Sequence, residues 1–484
     1  MKCIRLIFIA LFLYSLSSRS QNKQLLYDFN EIPQSLLLNP GMSTSYKWYA
    51  GVPVISGISF QAGSSGVSVN DLFANDGIDF NTKIREKVVY GMNFRDELSG
   101  TYQIDIINAG FRSRKNEHIF YSFGVYNEGD AIGYFFKDYA LLAFEGNTNN
   151  LNKKFDLSHL KTRGEIVNVF HFGINEKISN QIILGVRAKL YSSFVNFTST
   201  RNKGYFLTTE GQNNLLRNTL DADIEIRTSG IFELKDVLDD DNLANGPGIK
   251  KILSKRALLG GNLGLGFDLG FTYYLNERTS LTGSLIDVGF IYHNKDVRTY
   301  TLKGIASTEG IEAILPEDSS NDIEDKWQNL IDELESLVPY EESNENYLTF
   351  RPTKLNASIR HDFGEGIESK EICDCTSSVN GRSSGRAYKN SIGGQLYAIN
   401  RPRGPQTALT AFYQHRFGNA LSFKTTYTID KFSYTNIGLG GSIQVGPVNI
   451  YLMADNLLAY KNIADSHYAS VQFGLNIISW GQKK

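Results

Sequence analysis

The sequence predicts an all-β chain: a transmembrane antiparallel β-barrel of about 14 strands, with roughly 12 to 16 allowed, and short helices in its loops. Three observations point there. The chain opens with an export leader, yet no later apolar run approaches the ~18 residues of a membrane helix. Long stretches alternate apolar and polar residues with period two, well past the roughly five or six residues of an ordinary globular strand. Aromatic residues reach 12%, beside 44 Gly, 30 Phe and 26 Tyr, which excludes disorder, collagen and an all-helical coiled coil.

The leader comes first. Lys2 and Arg5 precede an apolar run over residues 6–16, and Ser18-Arg19-Ser20 supplies small residues before Gln21. That layout predicts a signal peptide over residues 1–20 and a single barrel domain over 21–484. The run is too short to cross a ~30 Å hydrocarbon core, so it is not an anchor. An exported barrel implies the outer membrane, with its lipid as a partner. A formal charge of −2 gives no support to nucleic-acid binding. Cys3 leaves with the leader, and Cys373 and Cys375 stand one residue apart. A disulfide there would close a very tight ring, and two ligands are too few for structural zinc, so they read as two thiols in a loop.

The wall is read strand by strand. Residues 101–112 and 118–127 flank a turn at 113–117, with Ile119, Tyr121, Phe123 and Val125 on one face. Ile166, Asn168, Phe170, Phe172 and Ile174 alternate next, and a polar turn follows at 175–180. Residues 181–200 then place Ile182, Leu184, Val186, Ala188 and Leu190 on one face, against Gly185, Arg187, Lys189 and Tyr191 on the other. With the apolar row toward lipid, Arg187, Lys189 and Tyr191 are candidates to face the lumen. Residues 262–275 and 280–293 flank Asn276-Glu277-Arg278, and 407–417 and 420–429 flank Gly418-Asn419. Segments 435–445, 449–455 and 468–480 complete the series. Longer excursions such as 129–163 and 200–215 separate the hairpins, which predicts short turns on one rim and loops on the other. Phe271, Tyr273, Tyr274, Phe290 and Tyr292 gather near strand ends, as interfacial girdles do. Closure leaves no unpaired edge in lipid.

Several segments lie outside this pattern. Residues 71–90 read as a loop with a short helix, and 134–144 as a compact apolar helix packed at the barrel mouth or in the lumen. Residues 305–347 form a long acidic excursion with eleven Asp or Glu and one Lys between 317 and 345. Within it, Trp327, Leu330, Ile331 and Leu334 share a helical stripe with Ile323 and Leu337, after an Asn321/Glu324 capping pair and before Pro339. That stripe is a candidate lid or partner-binding helix; the plainer alternative is a solvated loop whose helix covers barrel surface. The acids do not fall into a calcium-loop frame. Residues 364–388, rich in Gly and Ser and carrying both cysteines, read as a flexible loop.

No catalytic constellation emerges. The glycines at Gly66, Gly110 and in the run over 260–266 do not lie between a strand and a helix, so they cradle no phosphate and mark bends or close packing instead. There is no G-x-S-x-G, H-E-x-x-H or zinc pattern, and the seven His are scattered. The chain reads as no enzyme, without cofactor or metal.

A resemblance adds to this. The opening LLYDFNEIPQSLLLNPGMSTSYKWYAGVPVISGISFQAGSSGVSVNDLF (residues 25–73) resembles the mature start of a Bacteroidota group of outer-membrane barrels known only as a domain of unknown function. GFDLGFTYYL (266–275), SLIDVGFI (284–291) and the region from GPVNIYLMADNLL to VQFGLNII (446–478) extend the similarity. The LNPG opening and the DNLL before the last strand also resemble the PorP/SprF barrels of type IX secretion and gliding, and more broadly the 14-stranded fatty-acid transporter barrels. His293 stands where the family pattern leads one to expect Trp. The resemblance implies a barrel and no settled activity. On it rests the leading expectation, a non-enzymatic barrel docking envelope or secreted proteins, with a role beside type IX secretion as one form of it. The alternative is a transporter for a hydrophobic or small polar solute.

Overall fold

The computed structural model describes residues 23–211, 216–239, 247–309, 340–368, 386–432, 435–457 and 464–479. The leader, the stripe of Trp327, Leu330, Ile331 and Leu334, and both loop cysteines lie outside the described residues.

Twenty strands follow one another: β1 (Trp48–Gly51), β2 (Ile58–Ser64), β3 (Glu97–Arg112), β4 (Ile119–Tyr134), β5 (Lys154–Asp156), β6 (Thr162–Lys177), β7 (Ile182–Glu210), β8 (Leu216–Ser229), β9 (Asn262–Tyr274) and β10 (Thr279–His293). Then come β11 (Val297–Glu309), β12 (Tyr340–Ser343), β13 (Tyr347–Phe350), β14 (Lys354–Glu368), β15 (Arg386–Arg401), β16 (Gly404–Phe417), β17 (Leu421–Ile429), β18 (Asn436–Val445), β19 (Val448–Asp455) and β20 (Tyr468–Ser479). All pairings are antiparallel. β1 and β2 pair with β20 on one side and β3 on the other, which closes the sheet. They act as one wall strand interrupted at residues 52–57, where Pro53 cannot donate to a ladder and Val54 has φ 69°. β13 and β14 likewise share one wall position beside β10. The result is a closed 14-strand antiparallel barrel.

The polarity of the wall is inverted relative to a soluble protein. On β7, Leu184 and Val186 are 42% and 53% exposed, while Arg187 and Lys189, on the other face, are 1% and 3% exposed. On β9, Leu263, Leu265, Phe267, Leu269 and Phe271 point outward and Asn262, Asp268 and Thr272 inward. The same alternation runs through β16 and β17, where Leu409, Tyr413, Phe423 and Tyr427 face out and Thr410, Gln414, Lys424 and Thr428 face in. An apolar skin around a polar interior suits hydrocarbon, not water.

Four sequence expectations need correction. The excursion at 200–215 is not a loop: β7 runs on to Glu210 and β8 returns from Leu216. Residues 305–309 continue β11, which pairs along the whole of β8 from Val297↔Ser229 to Glu309↔Arg217. Both ends of the expected loop at 364–388 are strand, since β14 reaches Glu368 and β15 starts at Arg386. Neither face of the β7–β8–β11 arm meets lipid, so its alternation is between polar and weakly apolar residues and gives little signal. Tyr274 is no girdle residue, because it is 5% exposed and points inward, whereas Phe271 and Tyr292 remain on the outside.

Short turns at 113–118, 178–181, 275–278, 418–420 and 446–447 mark one rim. The opposite rim carries 65–96, 135–161 and the arm, though β15 and β16 turn there in two residues, Pro402-Arg403. The compact helix is Lys137–Glu145, beginning later than the apolar stretch because Tyr134 still belongs to β4. Its Leu141 packs with Val89 and Phe155, and Phe206 of β7 joins them at the loop rim.

Candidate functional site

The interior is filled by the chain's own segment preceding β1. Leu25, Leu26, Phe29 and Ile32 cluster with Tyr451 and Met453, while Leu36, Met42 and Tyr46 cluster with Tyr49, Phe120 and Ile478. Beyond the short turn Pro33–Leu37 this segment holds no regular element, so most of its carbonyls lack local partners. Wall side chains supply them. Arg360 donates to the Asp28 carbonyl (2.9 Å), Gln395 and Lys424 to that of Tyr27, and Ser284 to that of Leu38 (2.6 Å). Arg187 donates to the carbonyls of Leu36 and Leu37, Asn175 to those of Pro40 (2.7 Å) and Met42 (2.8 Å), and Thr272 to that of Gly41 (2.9 Å). Gln34 and Asn476 exchange amide bonds of 2.8 and 2.9 Å.

The tightest contact is glycine on glycine. Gly185 and Gly270 pair across β7 and β9, and the Asn39-Pro40-Gly41 turn lies against them. A Cβ on Gly185 would fall 2.0 Å from the Pro40 carbonyl carbon, and one on Gly270 would fall 2.1 Å from Asn39 Oδ1. Only bare backbone lets the turn approach this closely.

Behind this plug runs a chain of buried ion pairs. Arg187 and Lys189 both reach Asp268 at 2.9 Å, and Lys189 also reaches Asp287 at 2.6 Å. Lys354 links Asp287 (2.9 Å) to Glu128 (3.0 Å), and Arg351 links Glu128 (3.3 Å) to Glu165 (2.5 Å). Asp287 is placed by a bulge between Leu285 and Val288 with φ 61°, a conformation costing an L-residue roughly 1–2 kcal/mol. The Asp287 N–H donates to Asp268 (2.8 Å), and its carboxylate bridges two ammonium groups, which explains why the bulge persists. Alternating signs offset a desolvation cost that no isolated charge here could bear.

Arg187, Lys189 and Tyr191 thus sit on the buried inner face. Tyr191 packs with Tyr126, Val167, Val169 and Ile291, and Gly266 makes room for it, since a Cβ there would meet the Tyr191 hydroxyl at 2.4 Å. That is the packing role of the 260–266 glycine run. Sequence reasoning missed Asp268, Asp287, Glu128, Glu165, Arg351 and Lys354. Inward parity was the available signal: Asp268 stands between outward Phe267 and Leu269. His293 is fully buried, bonded to Ser229 (2.7 Å) and Thr349 (2.9 Å) and stacked on Tyr347, so it belongs to the interior and not to a girdle. Among the described residues no group of three or more His, Cys, Asp or Glu is placed to hold a metal. Packing leaves only a small gap of about 40 Å³ beside Lys23, Tyr126, Glu128, Asp287 and Lys354, between plug and wall.

A closed wall with an apolar skin, an ion-paired interior and an internal plug defines a membrane-type β-barrel of the plugged kind. Within that class the chain belongs to a family of unknown function, DUF5723, whose model matches residues 40–455. No curated protein matches it. Among solved structures it is similar to the P. putida toluene transporter TodX, with 9% identity and TM-score 0.37 over 97% of this chain and 96% of that one. It is also similar to the Ralstonia pickettii toluene transporter TbuX (10% identity, TM-score 0.37, 92% of each chain). A Pseudomonas aeruginosa FadL homologue aligns at 8% identity and TM-score 0.40 over 93% of this chain and 94% of that one.

Proposed function

We propose that the mature chain is a non-enzymatic, integral outer-membrane barrel whose lumen is shut by residues 23–47 and opened to a small solute when that segment moves. One observation carries this reading. Residues 23–46 are held by wall side chains on their carbonyls, and the wall ladder begins only at Lys47, which bonds Ser479 and Arg112, so displacing 23–46 breaks no ladder bond of the described wall. The small gap beside Lys23 and Lys354 lies between this segment and the wall, lined by Leu37 and Leu38 on one side. The outer-membrane address rests on the leader read in residues 1–20 together with the inverted polarity of the wall.

Planar-bilayer conductance tests it. The intact chain should conduct little, and a chain lacking residues 23–46 should conduct steadily. Because that deletion removes most of the interior packing, Gly185→Leu is the companion variant: it should loosen the plug while the wall persists. A chain as silent with Gly185→Leu as without it, and equally resistant to protease at residues 23–47, would overturn the reading.

A second reading, docking of an envelope or secreted protein, draws support from the arm. β7, β8, β11 and β12 stand beyond the rim as a four-stranded sheet, a large surface that no passage requires. The stripe of Trp327, Leu330, Ile331 and Leu334 follows β11 in the chain. Trp327→Ala with Leu334→Ala should abolish recovery of a crosslinked partner from membranes if docking is the role, and leave conductance unchanged.

A further inference from the structure

At the loop rim a basin opens between the base of the arm and the far wall. Lys161, Arg163, Arg201, Lys203 and Arg401 line it, with Asp223 the one acidic lining residue among those described, and hydroxyl and amide groups from Thr198, Ser199, Thr200, Asn202 and Asn400. Its volume is about 740 Å³, open to solvent on one side. We infer that this basin is a binding site for a small polyanion carrying two or more phosphate, sulfate or carboxylate groups.

The guanidiniums are fixed and the ammonium groups are not. Arg401 is held at 2.5 Å from Asp130, Arg163 at 3.3 Å from Glu165, and Arg201 at 3.0 Å from Glu225. Those carboxylates lie behind the basin, since none of the three lines it. The Arg401 side chain is 6% exposed, yet its Nε–H finds no acceptor in the structure. Its guanidinium borders the basin with one edge held by Asp130, so its charge is fixed beside any anion that enters. Arg201 and Lys203 stand exposed across from Lys161 and Arg163, so charge of one sign converges from β6, β7 and the β15–β16 turn. Concave positive surfaces of this kind concentrate anions, and fixed guanidinium forks hold them bidentately. The site lies outside the plug and needs no passage through the barrel, so it stands or falls separately from the gating reading.

Isothermal titration of the detergent-purified full chain with tripolyphosphate tests it. We expect saturable binding that weakens with salt, and no heat with a neutral trisaccharide. Lys161→Gln with Lys203→Gln removes two charges whose ammonium groups form no hydrogen bond or ion pair among the described residues, and should weaken binding by about ten- to hundredfold. Arg401→Lys keeps the charge and shortens the fork, and should weaken it less. Repeating the titration in nanodiscs separates two sources of the anion. Equal affinity in neutral and anionic lipid assigns the basin to a free solute, and competition by anionic lipid assigns it to a headgroup; either supports the site. No binding by the intact chain, or binding unchanged in the double Lys variant with the barrel still heat-modifiable, overturns it.

Discussion

Asp287 shows what a single residue does in this interior. Its left-handed backbone costs stability, and its carboxylate returns more by joining Lys189 to Lys354. Asp287→Ala leaves both ammonium groups buried with one partner each, so a loss of about 3–5 kcal/mol is expected in denaturant unfolding. Asp287→Asn keeps the size and part of the hydrogen bonding and should lose less; equal losses for the two would contradict the account. Ser68 and Asp71 offer a smaller test outside the membrane span. They form a reciprocal cap on the loop helix Val69–Phe73, and the Ser68 backbone N–H holds the Asp71 carboxyl below its usual 3.8. A carboxyl lowered in the folded loop stabilises it above its ordinary value, and that contribution is lost as pH falls through the lowered one. Pepsin should therefore cut near residues 68–73 faster as pH drops below 3.8, and Ser68→Ala should be cut readily before that point.

At the scale of elements, β7 matters most. Its lower half is wall, paired to β6 and β9, and its upper half pairs with β8 from Asn196↔Ser229 to Glu210↔Leu216. From Ser199 onward it passes the end of β6, and at ~3.3 Å per residue it reaches roughly 40 Å beyond the rim. The arm has its own packing: Tyr300 lies against Phe232 and Tyr340, with Arg298 over the Phe232 ring at 3.9 Å. Replacing residues 204–221 by a two-residue turn removes the tip and leaves every β6–β7 and β7–β9 pairing in place. Such a chain should still assemble as a heat-modifiable barrel. Its 137–160 loop should become protease-sensitive, because β5 loses Tyr205–Leu207 and Leu141 loses Phe206. Failure to assemble would mean the arm nucleates the wall.

The whole molecule couples wall and plug through bare backbone. Gly185 and Gly270 admit the Asn39-Pro40-Gly41 turn, and four wall strands, β6, β7, β9 and β10, donate to the carbonyls around it. Gly270→Leu should act like Gly185→Leu, raising both conductance and cleavage within residues 23–47 while detergent extraction stays unchanged. The same change at Gly446, a hairpin glycine with φ 57° and open space around its Cα, should strain one turn and leave conductance alone.

Much of this was legible in the sequence. Period-two alternation on residues 181–200 and 262–293 determines which side chains meet lipid, because a strand's two faces see only two environments and hydrocarbon tolerates one composition. Strand number, turn positions and closure follow from that alternation plus the need to leave no open edge. Beyond the rim, as in the upper part of β7 and the end of β11, the signal fades, and residues 200–210 and 305–309 read as excursions. Nothing local distinguishes residues 23–47 from an ordered surface loop: their apolar residues have no period, and their carbonyl partners lie up to hundreds of positions away, as Gln395 and Lys424 do from Tyr27. Only closure of the wall brings those donors to one place. Pairing of Arg187 with Asp268, or Lys354 with Glu128, is likewise decided by which strands become neighbours and which residues face each other across the lumen, and a linear pattern carries no record of that.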